Sequence, residues 1–340
     1  MAALPVFCTI RPESGRRACP GVHSTANEHR SGRACPIIWY LIMNNKTRGY
    51  LNALISGALF GFIPILTLPL IRGGRVSSPF TVLVRMLVPG LLLLPFTIRK
   101  LKLKMTSLPK LWELVIAATL YSGTSILLYA AYNYIPSGIG ITLHYMYPLV
   151  AMVISTVLFR QRFSMTAVGA MLAAFAGIVL LCDVSALPEN AFFGILLAAT
   201  SSVTFGSYLV FQEQRHFGIY DVLAVYDVMA LLDSVILLAY TCATGQMTMG
   251  ITAGEWAVLF AAAGFAIFAN LMLLKAIHLV GSVYTSFLGT LEPIVCTIGG
   301  ALVLKEHISL RTVIGSALVL TAVVVVILNN EKRTPVGRHG

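Results

Sequence analysis

Charge is what this sequence has least of. Asp, Glu, Lys and Arg make up only 11% of its 340 residues, against about 25% in soluble proteins, which excludes a solvated globular surface. The 24 basic and 13 acidic residues leave a net charge of +11. Spread over so apolar a chain, they cannot build the wide basic face of a nucleic-acid binder. The six cysteines, at positions 8, 19, 35, 182, 242 and 296, form no CxxC pair and no Cys/His spacing of the zinc type, so neither a metal site nor a disulfide framework is expected. No GxxxxGK[ST] string cradles a nucleotide phosphate, and no HExxH string marks an intramembrane zinc hydrolase. No cofactor is expected.

What the sequence has in quantity is apolar residues: 57% are hydrophobic and the mean hydropathy is +0.84. At roughly 20 residues per spanning helix, ten helices would occupy about 200 positions. Spans are predicted near 50–71, 79–98, 111–132, 137–159 and 165–183, then 192–213, 220–243, 254–275, 281–304 and 312–329. The breaks between them are marked by Arg72 to Arg75, Arg99 to Lys110, Arg160 to Arg162, Asp183 to Asn190, and Lys305 to His307.

Residues 1–42 are of another kind, with five arginines, three cysteines, four prolines and two near-duplicate Ser-Gly-Arg…Ala-Cys-Pro strings. They contain no apolar h-region of a secretory signal and no helical or strand periodicity, so they are expected to be disordered. Met43 opens a short basic lead into the first span. The expectation is that translation naturally begins there and that residues 1–42 are a mis-called extension. Without those five Arg and two Glu, the net charge falls by 3 to +8.

With the amino terminus inside, 14 Lys and Arg fall on the cytoplasmic segments and four, Arg72, Arg75, Lys305 and Arg311, on the other side. The positive-inside rule then places both termini in the cytoplasm. A shift of 145 residues lays Phe60-Gly61 on Phe205-Gly206, Ser137 on Ser282, Pro148 on Pro293, Val150 on Val295 and Ser164 on Ser309. Each half then holds five spans. An odd number turns the second half upside down relative to the first, the inverted-repeat plan of secondary transporters. The predicted fold is an all-α membrane protein of ten transmembrane helices in two inverted five-helix repeats, at 49–184 and 192–329, with a cytoplasmic tail at 330–340.

The stretch Leu291-Glu292-Pro293-Ile294 through Lys305-Glu306-His307-Ile308-Ser309, then Val313-Ile314-Gly315, resembles the second EamA module of the drug/metabolite transporter superfamily. Tyr147-Pro148, Arg160-Gln161-Arg162-Phe163-Ser164 and Val168-Gly169 resemble the first module, and Ala58-Leu59-Phe60-Gly61 is similar to the family's first-helix start. Gln161 stands where the family usually has Glu, and Lys305 where Gly is common. The resemblance covers about residues 49–329. It implies a ten-helix carrier, often a metabolite exporter, with its cavity between the halves and helices five and ten at the periphery.

Pro148 and Pro293 interrupt the fourth and ninth spans. Each removes a backbone hydrogen bond, and matched interruptions in two repeats point to a midplane site; packing kinks are the plainer alternative. Glu292 lies beside Pro293, one helical turn from Leu288 and two from Tyr284. A carboxylate at that depth needs a cavity or a cation and can bind an amine or relay a proton. A structural role bonded to neighbouring helices is equally open. Arg85, inside the second span, needs a partner among Glu292, Asp227, Asp233 or a substrate anion. Asp227 and Asp233 are about 120° from eclipse on one helix and form no dyad; Asp227 is placed towards the headgroups. Tyr129, His144, Tyr145, Tyr147 and Asn270 supply polar and aromatic groups at membrane depth, His144 and Tyr147 on one face. Gly169, Ala173 and Gly177 follow small-xxx-small spacing for helix packing.

These features read as an inner-membrane secondary carrier, with Arg85, Tyr129, His144, Tyr147, Asn270, Tyr284 and Glu292 as binding or coupling candidates and Pro148 and Pro293 as hinges. The expected partners are a small-molecule substrate and the lipid bilayer, with a homodimer allowed and no nucleic acid. The rival readings are an intramembrane enzyme using His144 with an acidic residue, and a nucleotide-sugar or phosphate-ester carrier of the same superfamily.

Overall fold

A computed structural model of the chain describes residues 44–104, 107–135, 137–181, 191–303 and 310–332. The expectations for residues 1–42, for the Lys305–His307 break and for most of the carboxyl-terminal tail lie outside the described residues. Among those described, all regular structure is helical: α1 Asn45–Arg72, α2 Ser78–Lys102, α3 Leu111–Ala131, α4 Ser137–His144, α5 Tyr147–Phe159, α6 Met165–Leu181, α7 Ala191–Gln214, α8 Val222–Ala243, α9 Ala253–Val280, α10 Ser282–Leu288, α11 Leu291–Val303 and α12 Leu310–Lys332, with one 3-10 turn at Phe217–Ile219. Among the described residues, seven helices are long and apolar enough to cross a membrane, α4 and α5 counting as one over Ile139–Phe159, and Met165–Leu180 and Val313–Leu328 are shorter apolar segments.

The helix ends follow from local chemistry. Ser77 caps α2 by accepting from Phe80 N–H, and Asp221 caps α8 by accepting from Leu223 and Ala224 N–H, each satisfying amides that the first turn leaves open. Thr252 and Glu255 form a capping box on α9. Gly281 joins α9 to α10 at φ +85°, a left-handed turn that favours glycine.

The two proline-bearing spans are not continuous. The fourth breaks at Tyr145-Met146, so Pro148 sits in the first turn of α5. The ninth breaks at Gly289-Thr290, so Pro293 is the third residue of α11. A first turn tolerates proline because its N–H would be unpaired there in any case. The prolines therefore start second segments and do not bend intact helices.

Packing runs between the halves. α1 packs along α9, α2 along α8, α3 along α7, and α6 along α12, while α4–α5 lie on α7 and α10–α11 on α1. Exchanging each element of one half with its counterpart in the other maps this set of pairs onto itself. α2 and α8 are antiparallel: Ser77, before α2, donates through Oγ to the Gln246 carbonyl after α8 at 2.6 Å, and Lys100, near the end of α2, pairs with Asp221 before α8.

The largest buried cluster draws on α2, α3, α7, α8 and α9 and holds Tyr121, Tyr145, Tyr147, Tyr208 and Tyr226. Large apolar side chains such as Phe192, Leu302 and Leu310 point outward, as lipid-facing surfaces require. Two sequence expectations need correction. Asp227 is fully buried in α8, with Thr97 of α2 beside it, because α8 presents that face to α2 and not to headgroups. Of the small-residue stripe, Gly177 does bring α6 onto α12, since a Cβ there would stand 2.7 Å from the Gly315 carbonyl oxygen, whereas Gly169 has no neighbour within reach of a Cβ.

Candidate functional site

The site grows out of the two breaks. His144 ends α4 and Tyr147 opens α5, so the turn between them turns both rings towards α7. There His144 lies 5.5 Å from both Tyr147 and Phe205, and Phe205 meets Tyr147 edge-on at 4.7 Å, measured between ring centroids. The wall continues through Tyr208, stacked on Phe205 at 5.8 Å, to Tyr121 at 5.2 Å. His144 Nδ1 shares a 3.1 Å hydrogen bond with Ser201 Oγ. Across the cluster, a Cβ on Gly289 would stand 2.9 Å from Tyr147 Oη. Glycine at the second break is what lets the phenol of the first break reach it.

Charged groups gather beside this wall. Arg85, two turns into α2, has as its electrostatic neighbours the phenols of Tyr121, Tyr129 and Tyr226 and the carboxylate of Glu292. Glu292, in the first turn of α11, accepts a hydrogen bond from Tyr145. Asp233 of α8 accepts from Ser122 Oγ at 2.6 Å. Asn270 of α9 donates to the Ala266 carbonyl at 2.9 Å and lies beside the Tyr226 hydroxyl. Arg85 Nε has no hydrogen-bond partner among the described residues. Arg85, Tyr129, His144 and Glu292 keep partial exposure although they lie deep among helices.

A guanidinium with a free N–H offers a fork for a carboxylate or phosphate oxygen, the two carboxylates accept from an amine or hydroxyl, and the rings offer apolar faces. Among the described residues, no group of three His, Cys, Asp or Glu is placed to hold a metal ion.

Six of the seven sequence candidates, Arg85, Tyr129, His144, Tyr147, Asn270 and Glu292, come together in this way. Tyr284 does not. Its ring packs edge-on against Phe163 at 6.3 Å, in a separate apolar cluster. Sequence reasoning passed over Tyr121, Ser122 and Tyr208. Tyr121 and Tyr129 are eight apart, and Phe205 and Tyr208 three apart; each spacing puts its pair on one helix face, a signal by which the sequence could have shown Tyr121 and Tyr208.

Comparison with known proteins follows this geometry. The EamA-like transporter family matches residues 47–182 and again 192–328. The chain belongs to the EamA-like transporter family. Each of its two EamA repeats contains one broken helix, and the candidate site lies where the two repeats face each other. A solved structure described only as a crystal structure of a protein is 17% identical, with a TM-score of 0.71 over 84% of this chain and 98% of the other; it shows a shared fold. No curated protein matches this EamA chain.

Proposed function

We propose that this protein is a ten-span secondary carrier, and in its cellular direction an exporter, that moves a small organic metabolite by alternating access between two inverted EamA repeats. The observation that carries this reading is the packing exchange. Each helix of one repeat finds the counterpart partner in the other, the antiparallel pair α2 and α8 runs across the middle, and the polar cluster lies between the two breaks. Among the described residues, Arg75–Glu255 and Ser77–Gln246 join helix ends that ten alternating spans would put on one face, and Lys100–Asp221 and Arg215–Glu113 join helix ends on the other. That supports the inverted arrangement. The Lys and Arg asymmetry supports both termini in the cytoplasm of a bacterial inner membrane.

The site favours a solute with a polar, ionisable end for Arg85 and Glu292 and an apolar or aromatic body for the Tyr147, Phe205 and Tyr208 rings. Glu292 is the residue we assign to proton coupling. The enzyme reading finds less support: His144 faces Ser201 and three aromatic rings, with no carboxylate among its described partners. A phosphate-ester carrier would draw on Arg85 as its one cluster cation.

Solute uptake into everted vesicles, with and without an imposed pH gradient, tests the reading. The wild type should concentrate a solute of this class faster with the gradient, and Glu292→Gln should lose the gradient's effect. Gradient-driven uptake that is unchanged in Glu292→Gln would remove the proton role, and no solute movement from any candidate of the class would count against the carrier.

A further inference from the structure

Both ends of the bundle are tied by an arginine–glutamate contact of the same design. Arg75 lies in the turn between α1 and α2, and its Nε donates to Glu255 Oε1 at 2.6 Å. Arg215 lies in the turn between α7 and α8, and its Nη1 stands 3.6 Å from Glu113 Oε1. Each glutamate is the third residue of its helix, α9 or α3. Each turns its other oxygen, Oε2, back onto its own cap, accepting from Thr252 N–H at 2.8 Å in one and from Lys110 N–H at 3.2 Å in the other. The turns 1–2 and 7–8 are counterparts in the two repeats, as are α3 and α9. Each contact therefore joins one repeat to the other, and the two sit at opposite ends of the helices. A tryptophan adjoins each glutamate: Trp112 lies under Arg215 at 4.9 Å, and Trp256 packs on Phe80 at 6.3 Å.

We propose that Arg75–Glu255 and Arg215–Glu113 are repeat-related gate latches, one on each membrane face, whose alternate release sets which face the central cavity opens to. The proposal rests on the carrier reading above. Three observations support it. The arginine side chains are 57% and 43% exposed while the glutamates are 14% and 10% exposed; a contact with one partner in water is cheap to break and remake, as a step repeated every cycle requires. The N-cap of the neighbouring helix makes a further cross-repeat tie at each end, Ser77 to Gln246 and Asp221 to Lys100. Finally, a cleft opens where the repeats meet at each end. One of about 710 Å³ is lined by Arg75, Ser77, Gln246 and Thr248, and one of about 360 Å³ by Gln161, Glu213, His216 and Gly281. The two latches differ in build: the Arg75 contact is an ångström shorter, whereas Arg215 also lies over the Trp112 and Phe211 rings. These four are positioning residues. They act on the cavity through the helices they hold.

Side-specific labelling tests this. In the full-length chain with its native cysteines replaced, Thr204→Cys puts a reporter beside Thr124 on the α3–α7 seam, and an impermeant maleimide is applied to everted and to right-side-out vesicles. Glu255→Gln should raise labelling from the Arg75 face about two- to fivefold, the population shift expected for loss of one exposed pair, and lower it from the other. Glu113→Gln should do the opposite, and the swap Arg75→Glu with Glu255→Arg should return the parent pattern. Arg75→Gln and Arg215→Gln leave both capping glutamates intact and should repeat the result if the glutamate variants fold poorly. Equal changes at both faces, no change at either, or a swap that does not restore the pattern would overturn the latches. Vesicle uptake separates the two readings. Uptake with unmoved labelling removes the latches alone, whereas face-specific labelling without movement of any solute keeps the latches and removes the carrier.

Discussion

The first EamA repeat and the second share a scaffold and differ in chemistry. A Cβ added at Gly61 of α1 would meet the Glu292 carbonyl oxygen and Val295; one added at Gly206 of α7 would meet the Tyr147 carbonyl oxygen and Val150. All three pairs, 61 with 206, 147 with 292 and 150 with 295, are 145 residues apart. The backbone contact is thus the same one made twice. Yet the first repeat offers His144 and Tyr147 where the second offers Gly289 and Glu292. The repeat conserves what brings the two halves together, and the side chains at the breaks are free to differ. A two-fold scaffold can therefore hold a one-sided cluster, with its cation from α2 and its carboxylates from α8 and α11.

The largest effect should come from breaking the one-sidedness. Arg85→Met keeps much of the volume but leaves Glu292 and three phenols without their cation. Removing one partner of a buried charge arrangement costs about 3–5 kcal/mol, so the thermal unfolding midpoint in detergent should fall well below that of the wild type. Adding Glu292→Gln should recover most of the loss without restoring solute uptake. A double variant no more stable than Arg85→Met would show that Arg85 is held by the phenols and not by Glu292.

The shared scaffold is tested by its two glycines. At Gly61 a Cβ would stand 2.7 Å from the Glu292 oxygen, with Val295 Cβ at 2.8 Å; at Gly206 the corresponding closest approaches are both 3.0 Å. Overpacking costs about 1–3 kcal/mol, with Gly61→Ala towards the top of that range and Gly206→Ala towards the bottom, read from the same unfolding midpoints. Equal losses would mean that the halves separate to the same degree at both seams.

Much of the scaffold was legible in the sequence. The Phe-Gly and Tyr-Pro or Glu-Pro strings recur at one spacing, and the structure makes equivalent contacts with them. The site was legible only in part, for two physical reasons. The hydroxyl residues of α3, Thr119, Ser122, Thr124 and Ser125, are spread around its circumference, so no single polar stripe tells which face is inward. Tyr284 failed for another reason. Its register with Glu292 assumed an unbroken helix, and the turn at Gly289-Thr290 rotates the two segments so that Tyr284 meets Phe163 instead. The burial of Asp227 against α2 is a tertiary fact that position within an apolar span does not reveal.

The smallest effect sharpens the comparison at the helix caps. Ser77 and Asp221 hold matching places before α2 and α8, but only Asp221 titrates. Burial raises its carboxyl; the hydrogen bond from Lys100, the Ala224 and Leu223 amides and the Lys100 charge outweigh that and hold it below the usual carboxylate value. Because the folded value is depressed, this contribution to stability is fully present above the ordinary carboxylate value and is lost as pH falls through the folded one. Asp221→Ala should cost about 1 kcal/mol for the lost cap. Asp221→Asn, which keeps the cap and loses the Lys100 pair, should cost about 0–1 kcal/mol. Unfolding midpoints measured from pH 7 down into the acid range should converge for wild type and Asp221→Asn, while Ser77→Ala should keep a constant offset. A pH-independent offset for Asp221→Asn would mean that Lys100 adds nothing beyond the cap, and that the α8 end is held as the α2 end is, by neutral hydrogen bonds.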